Sequence, residues 1–362
     1  MAEPLKHMYN PALYRSVATQ LREIYPAFEA EKFYKKATRG LDDLELNDRM
    51  RRTADLFREF LPDDFAEAMR IIIQFAPALT GYAGVCVPEY IGNFGREDRR
   101  RFDATMRALA QVTEYSSAEF AVRPYLREDF PRALKYILRW SKHRNYHVRR
   151  LSSEGLRPRL PWSGTLPDLI ADPRPAFPVL ENLRQDPEDY VRRSVANHLN
   201  DVAKDHPELM LDLIESWDRS HESTAWICKH AARSLIKAGH PRCLKLFGFG
   251  GKAQLRELSF AVAPARLAIG ETALFELRAR SAARTAQNLV IDYRVGFRTK
   301  NGKISQRVFK WKTFRLQPGA ALRLTKRHSF ANLSTRTHYP GEHRIAVLVN
   351  GKTLTEATLH LS

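Results

Sequence analysis

Tyr146-His-Val148-Arg149-Arg150-Leu-Ser-Ser153 opens a unit that returns 43 residues later as Val191-Arg192-Arg193-Ser-Val-Ala196. After 36 more it returns, weaker, as Ile227-Cys228-Lys229-His230-Ala231-Ala232-Arg233. A helix pair repeating at about 40 residues is the mark of a HEAT-like solenoid. The Val and Ala positions fall on the buried stripe of a helix, which aims the adjacent arginines at the concave or solvent side. HEAT arrays ordinarily bind proteins. Rows of arginine at helical pitch, on a chain of net charge +18 and pI near 9.9, favour a phosphate backbone instead.

Outward from that repeat, the 362 residues are long for a single core, so two domains are expected. The apolar content of 44% is that of a globular protein, and no run of 18 or more apolar residues suggests a membrane span. Met1-Ala-Glu-Pro-Leu-Lys-His7 has no apolar signal region. Three widely spaced cysteines (Cys86, Cys228, Cys243) fit a reducing cytoplasm. Cys228-x-His230 with Cys243 matches no common zinc spacing, and buried structural cysteine is the simpler reading. Charge is uneven: from Arg256 onward 19 Lys and Arg face 6 Asp and Glu, a net of +13, while the first 255 residues carry 40 against 35. That asymmetry gives the C-terminal segment its own electrostatic role.

Residues 11 to 240 read as a succession of helices with apolar positions at i, i+3, i+4. Twelve are expected, among them Ala118–Arg127, Val148–Arg157, Glu188–Lys204 and Ser223–Ala238. Pro131, Pro187 and Pro207 stand at helix starts, and Gly239 followed by Pro241 closes the last one. Gly155–Pro178, with six prolines, reads as a long stiff loop of the functional kind. Past Leu244–Leu255, with its Phe247-Gly-Phe-Gly-Gly251, the apolar period changes to two. About seven short strands, with Asn301-Gly302 and Asn350-Gly351 as two-residue hairpin signals, point to an immunoglobulin-like sandwich without its disulfide. The expected organisation is an all-α HEAT-like domain over 1–245, a linker over 246–255 and a basic all-β sandwich over 256–362. The outward strand positions hardly mix signs of charge, with Arg294, Arg298, Lys300, Lys303, Arg307, Lys310, Lys312, Arg315, Arg323, Lys326 and Arg327 in one central block. This suggests a nucleic-acid or polyanion surface rather than a solvated face.

A solenoid that only holds DNA has no use for carboxylates facing phosphates. Glu119, in Ser116-Ser-Ala-Glu119-Phe-Ala-Val-Arg123-Pro, therefore stands out, although a first-turn acid complementing a helix dipole would explain it equally. Asp201, in Ala196-Asn197-His-Leu-Asn-Asp201, lies two turns past Arg193 on the repeat helix, where a structural acid is the ordinary reading. Trp162 lies in the proline-rich loop, either as a packing anchor or as a ligand-facing ring.

These segments resemble the DNA alkylation-repair glycosylases of the AlkC/AlkD type, and the whole chain resembles the AlkC branch. The likeness rests on Ser-Ala-Glu119-Phe-Ala-Val-Arg-Pro, on the Val-Arg-Arg repeats, on Arg-Pro-Arg-Leu-Pro-Trp162, and on Arg-Arg-Ser-Val-Ala-Asn-His-Leu-Asn-Asp201-Val-Ala-Lys-Asp-His-Pro. It runs over residues 1 to about 245, and the appended β-domain is a feature of some AlkC members. The resemblance implies base excision repair by a monofunctional N-glycosylase releasing cationic 3-methyladenine and 3-methylcytosine, without metal or organic cofactor. The lesion would be attacked while still in the stack. The implied partner is double-stranded DNA with alkylated bases, bound by a cytoplasmic monomer with no membrane attachment. Glu119 and Asp201 would stabilise an oxocarbenium-like sugar and activate water, with Trp162 against the sugar or lesion. Arg149, Arg150, Arg192 and Arg193 align with family arginines near phosphates, a positioning role. Arg298, Lys300, Lys303, Lys310 and Lys312 would extend DNA contact to the β-domain. Where the AlkD branch carries a tryptophan on the repeat helix this chain has Asn197, which argues against bulky N7 lesions.

Two other readings compete. A HEAT and immunoglobulin-like scaffold could dock on DNA without cleaving anything, but it would gain nothing from acids bordering the arginine rows. A protein–protein adaptor would more often show an apolar groove.

Overall fold

The computed structural model describes residues 4–362; Met1–Glu3, the start of the N-terminus read above, lie outside the described residues. The chain divides into two compact units. One comprises the residues up to Asp205 together with Asp218–Ala231, the other His206–Trp217 together with Ala232–Ser362. Among the described residues no helix is long and apolar enough to cross a membrane.

The first unit begins with α1 (Pro11–Ile24), α2 (Ala30–Thr38), α3 (Leu46–Phe60), α4 (Phe65–Phe75), α5 (Cys86–Arg96) and α6 (Phe102–Val112). It continues with α7 (Arg123–Glu128), α8 (Phe130–Trp140), α9 (Tyr146–Glu154), α10 (Pro167–Ala171), α11 (Phe177–Leu183) and α12 (Asp189–Asp205). After α13 (Pro207–Ser216), which belongs to the second unit, α14 (Glu222–Ala231) completes it. Side-chain caps set many of the starts: Asn10, Asp64, Asp129 and Asn145 each accept a hydrogen bond from a first-turn backbone N–H. The repeat helices pack as the sequence pattern requires, with α12 between α9 and α14. Val148, Val191 and Ile227 are all buried where these helices meet, each worth about 1.5–3 kcal/mol of transfer free energy.

Helix α5 has no counterpart among the expected helices, because Pro88, Gly92 and Gly95 break its local propensity. Its glycines are close-approach points. A Cβ on Gly92 would lie 3.1 Å from Ala121 Cβ, and one on Gly95 would collide with Thr105 and lie 2.5 Å from the Tyr125 hydroxyl. The proline-rich stretch likewise holds a helical turn, α10, rather than loop throughout. The helix expected over Ser223–Ala238 is interrupted at Ala232, where α15 (Arg233–Ala238) begins.

In the second unit α15 and α16 (Pro241–Leu246) lead into eight strands. These are β1 (Leu255–Ala263), β2 (Arg266–Leu267), β3 (Thr272–Ser281), β4 (Gln287–Arg298), β5 (Ile304–Leu316), β6 (Ala321–Ser329), β7 (Gly341–Val349) and β8 (Lys352–Leu361). They form a three-stranded sheet, β1-β3-β6, and a five-stranded sheet, β2-β8-β7-β4-β5. All pairings are antiparallel except β2 with β8. Alternate residues bury Phe275, Leu277, Tyr293, Val295, Ile345 and Val347 between the sheets, which is the period-two pattern of a sandwich. Asn350 and Gly351 both take positive φ, 48° and 76°, as a two-residue primed turn demands. Asn301-Gly302 departs from that expectation: it sits in a wider loop closed by the Thr299 N–H donating to the Lys303 carbonyl at 2.8 Å. The segment expected as a linker is partly packed, since Phe249 is buried against Leu244 and Val290.

Candidate active site

Glu119 lies in the turn before α7, not in a helix, so a helix-dipole role does not describe it. The Ser117 hydroxyl donates to its Oε2 at 2.7 Å, and Arg150 reaches the same oxygen from α9. Arg150 lies with its guanidinium 4.7 Å over the ring of Tyr190 on α12, and its Nη2 is 3.4 Å from Glu154 Oε1. Arg157 then donates to Glu154 Oε1 at 2.7 Å and to Asp201 Oδ2 at 2.9 Å. Ser194 donates to Glu154 Oε2 at 2.6 Å, and Lys204 donates to Asp201 Oδ1 at 2.9 Å. Acids and cations thus alternate from Glu119 through Arg150, Glu154, Arg157 and Asp201 to Lys204. Breaking one member of such a buried series leaves its neighbours uncompensated.

Burial disfavours the charge on Glu154, but Arg150 and Arg157 outweigh it, and its carboxyl is held below the usual range. Burial likewise opposes the charge on Arg157, and Glu154 and Asp201 reverse that to raise it. His198, one turn before Asp201, is pushed down to about 4 by burial, and its Nδ1 lies 3.1 Å from the Ser153 carbonyl. It is a neutral core group.

Trp162 is 65% exposed, with backbone φ of 62° in the left-handed region. A non-glycine residue holds that conformation only where its surroundings impose it. Arg123 holds the two ends of the loop that carries Trp162. Fully buried and, among the described residues, without an ion-paired carboxylate, it donates to the carbonyls of Gly155 (3.0 Å), Arg157 (2.8 Å) and Gly164 (3.1 Å), which bracket the loop. Burial, then the nearby charges of Arg127 and Arg157, bring its guanidinium down to about 10. The Trp162 indole meets Tyr82 edge to face at 5.8 Å.

A cavity of about 320 Å³ opens at Glu119, lined also by Tyr82, Ser117, Phe120, His147, Arg150 and Tyr190. Among the described residues the Tyr82 hydroxyl has no hydrogen-bond partner; burial, and then the Glu119 charge, raise its pKa. Glu114 also lines the cavity, and a carboxylate among aromatic rings can oppose a cation or accept a proton from water. Among the described residues, no group of three or more His, Cys, Asp or Glu side chains is placed to hold a metal ion.

The structure therefore brings Glu119 and Asp201 into one ionic chain and sets Trp162 beside the Glu119 cavity through Tyr82. Glu154 and Arg157, the middle of that chain, escape a reading of the sequence. The signal available is the i, i+4 spacing of Arg150 and Glu154, which on its own looks like a surface pair. The repeat arginines do not all face outward as expected. Arg149 donates to Asp186 (2.6 Å) and to the carbonyls of His143 and Arg144, and Arg192 donates to the carbonyls of Asp186 and Pro187. Arg150 is buried in the chain just described, and only Arg193 of the four is exposed. In the second unit Arg298, Lys300, Lys303, Lys310 and Lys312 are all exposed, and among the described residues none of the five forms an ion pair. Arg298, Arg294 and Arg344 border a depression of about 470 Å³ on the five-stranded sheet, together with Glu342 and Glu356.

Residues 96–235 match the family model of the DNA alkylation repair enzyme, and residues 256–362 that of the C-terminal Ig-like domain of the uncharacterised protein YhaZ. The chain is 38% identical over 351 residues to the uncharacterized protein YhaZ of Bacillus subtilis, covering 96% of each chain. It is 40% identical to the Pseudomonas fluorescens alkylpurine DNA glycosylase AlkC, solved bound to DNA containing an abasic site analog. That match has a TM-score of 0.96, over 99% of this chain and 100% of the other. The chain belongs to the DNA alkylation repair enzyme family. Within it, AlkC and YhaZ are each matched over nearly the whole chain.

Proposed function

We propose that this protein is a monofunctional DNA N-glycosylase that releases cationic N3-alkylated bases, 3-methyladenine and 3-methylcytosine, in base excision repair. The observation that carries the reading is the Glu119 carboxylate at an aromatic-lined cavity, in a chain whose full-length structural relative is an alkylpurine DNA glycosylase. A base methylated at N3 already bears positive charge, so the C1′–N bond can break with its electrons moving to the base and no acid is required. What remains is to oppose the cation growing on the sugar and to place water. Glu119 does both, accepting the water proton as the water oxygen bonds to C1′. Asp201 is nearly buried and doubly paired, so it acts through the ionic chain that fixes Arg150 against Glu119, or after the half-exposed Lys204 swings away. Trp162 offers its ring face to the sugar or to the cationic base. No metal or organic cofactor takes part. Arg193 and the sandwich residues Arg298, Lys300, Lys303, Lys310 and Lys312 hold the phosphate backbone of double-stranded DNA; Arg149, Arg150 and Arg192 position the repeats.

The saturation of every acid by a cation favours a second reading, a DNA-binding scaffold without catalysis. The test is chromatographic detection of free base from methylating-agent-treated DNA, with chelator present. Wild type is expected to release 3-methyladenine and 3-methylcytosine and to spare 7-methylguanine. Glu119→Gln and Asp201→Asn are expected to bind DNA yet lose at least about two orders of magnitude in release rate. Wild-type rates in both variants would overturn the catalytic assignment of Glu119 and Asp201, and DNA binding without any base release by the wild type would leave the scaffold reading standing.

A further inference from the structure

We infer that Tyr82 is a further catalytic residue of the site proposed above: its phenol and Glu119 together hold the water that attacks C1′. The inference rests on the glycosylase reading of that site. It adds a residue that stands outside both the sequence motifs and the ionic chain.

Two turns build one wall of the cavity. Residues 81–85 lead into α5 and carry Tyr82, and residues 113–119 follow α6 and carry Glu119. The turns are pinned to each other. The Gly81 N–H donates to the Tyr115 carbonyl at 2.9 Å, and the Ser116 hydroxyl donates to the Gly81 carbonyl at 2.8 Å. A Cβ on Gly84 would fall 2.0 Å from the Leu79 carbonyl oxygen and 3.0 Å from Ser116 Cβ, so a glycine is needed for this approach. Tyr82 and Glu119 therefore keep a fixed relation to each other before any substrate arrives. The edge-to-face contact with Trp162 orients the Tyr82 ring from its other side.

Much of the polar lining is already engaged. Ser117 and Arg150 both donate to Oε2 of Glu119, and the Thr113 hydroxyl accepts from the Ala118 N–H at 3.3 Å. Two groups are left. Among the described residues, the hydrogen bonds to Glu119 end on Oε2 and leave Oε1 open, and the buried Tyr82 hydroxyl has no partner. A buried hydroxyl in that condition costs about 1–3 kcal/mol. An enclosed water shared with a second polar group satisfies it wherever there is room, and the cavity of about 320 Å³ has room.

Such a water donates one hydrogen to Oε1 of Glu119 and the other to the phenol oxygen, which leaves a lone pair for C1′. As the O–C1′ bond forms, the C1′–N bond breaks and its electron pair goes to the cationic base, which departs neutral. The proton of the attacking water passes to Glu119. Tyr82 keeps its own proton throughout, because burial and then the Glu119 charge raise its pKa. Its contribution is orientation: a water held by two acceptors has its nucleophilic lone pair aimed before the bond to the base begins to break.

The test is Tyr82→Phe in the full chain, which keeps the ring that meets Trp162 and removes only the oxygen. Single-turnover release of 3-methylcytosine from a duplex is expected to slow about 10- to 100-fold. Affinity for an undamaged duplex is expected to stay within about twofold, and the melting temperature to equal that of wild type. A second readout is the product formed in water–methanol mixtures. Methanol has one O–H and cannot meet both acceptors, so wild type is expected to favour the C1′ hydroxyl product and Tyr82→Phe to give a larger share of the C1′ methyl ether. A residue that only supports the fold would leave that ratio unchanged. Release at the wild-type rate by Tyr82→Phe overturns the inference alone, as does slowed release with an unchanged product ratio. Absence of base release by the wild type overturns the glycosylase reading, and the inference with it.

Discussion

In the helical unit, a set of guanidinium groups points inward. Arg49 donates to the carbonyls of Leu44, Lys6 and Tyr9, Arg123 to three loop carbonyls, Arg149 to Asp186, and Arg150 and Arg157 to the acids of the site. In the sandwich, Arg298, Lys300, Lys303, Lys310 and Lys312 point outward, and among the described residues none of the five forms an ion pair. The near balance of charge over the first 255 residues and the net of +13 beyond them are the compositional trace of this difference. Arginine suits the first task because its planar fork bridges several acceptors in fixed geometry; clustered exposed cations suit a polyanion that arrives from outside. A basic residue thus says little about DNA until its acceptors are known.

The sharpest way to break that contrast is Arg157→Met. Removing the cation between Glu154 and Asp201 is expected to cost about 3–5 kcal/mol in denaturant unfolding. A loss below about 1 kcal/mol would mean that the ionic chain is not a structural unit.

Acid titration probes both regions at once. Burial drives His198 of the helical unit and His328 of the sandwich down to about 4, against about 6.5 in an unfolded chain. With the folded value lower, the unfolded state binds more protons between pH 6.5 and 4, so stability is complete above that window and falls as pH drops through it. Each histidine contributes on the order of 3 kcal/mol at the acid limit. Melting temperatures should fall across the window, and less steeply in His198→Asn. A flat wild-type profile would show that these rings are not held neutral by the fold.

The smallest stability effect belongs to the sandwich surface. Replacing Lys300, Lys303, Lys310 and Lys312 by Gln should change unfolding free energy by less than about 0.5 kcal/mol each. The same changes should flatten the log–log salt dependence of DNA binding by about 0.9 for each phosphate left unneutralised. An unaltered slope would make the charge a solubility device.

The alternation of helix and strand periods carried most of the architecture, and Asn350-Gly351 even gave its turn type. Helix α5 was hidden because its glycines serve close approaches to Ala121, Thr105 and Tyr125, which are distant in the chain. The site was legible at its ends, Glu119 and Asp201, where acids stand among basic motifs. Its middle was not: Glu154 becomes a buried group only when α12 brings Ser194 against it, and local spacing cannot report that. For the same reason Arg149 and Arg150 look like phosphate ligands in the sequence, whereas in the fold Asp186 and Glu119 stand opposite them.

The buried guanidinium of Arg123 has a consequence for recognition. A side chain as large as Trp162, left mobile on a proline-rich loop, would lose conformational freedom each time DNA docked, and that loss would weaken binding. Here three carbonyl hydrogen bonds fix the loop when the protein folds, and the left-handed backbone of Trp162 is set before any ligand arrives. In the proposed function, where Trp162 faces the sugar or the base, the entropy of ordering this loop backbone is thereby charged to folding rather than to affinity.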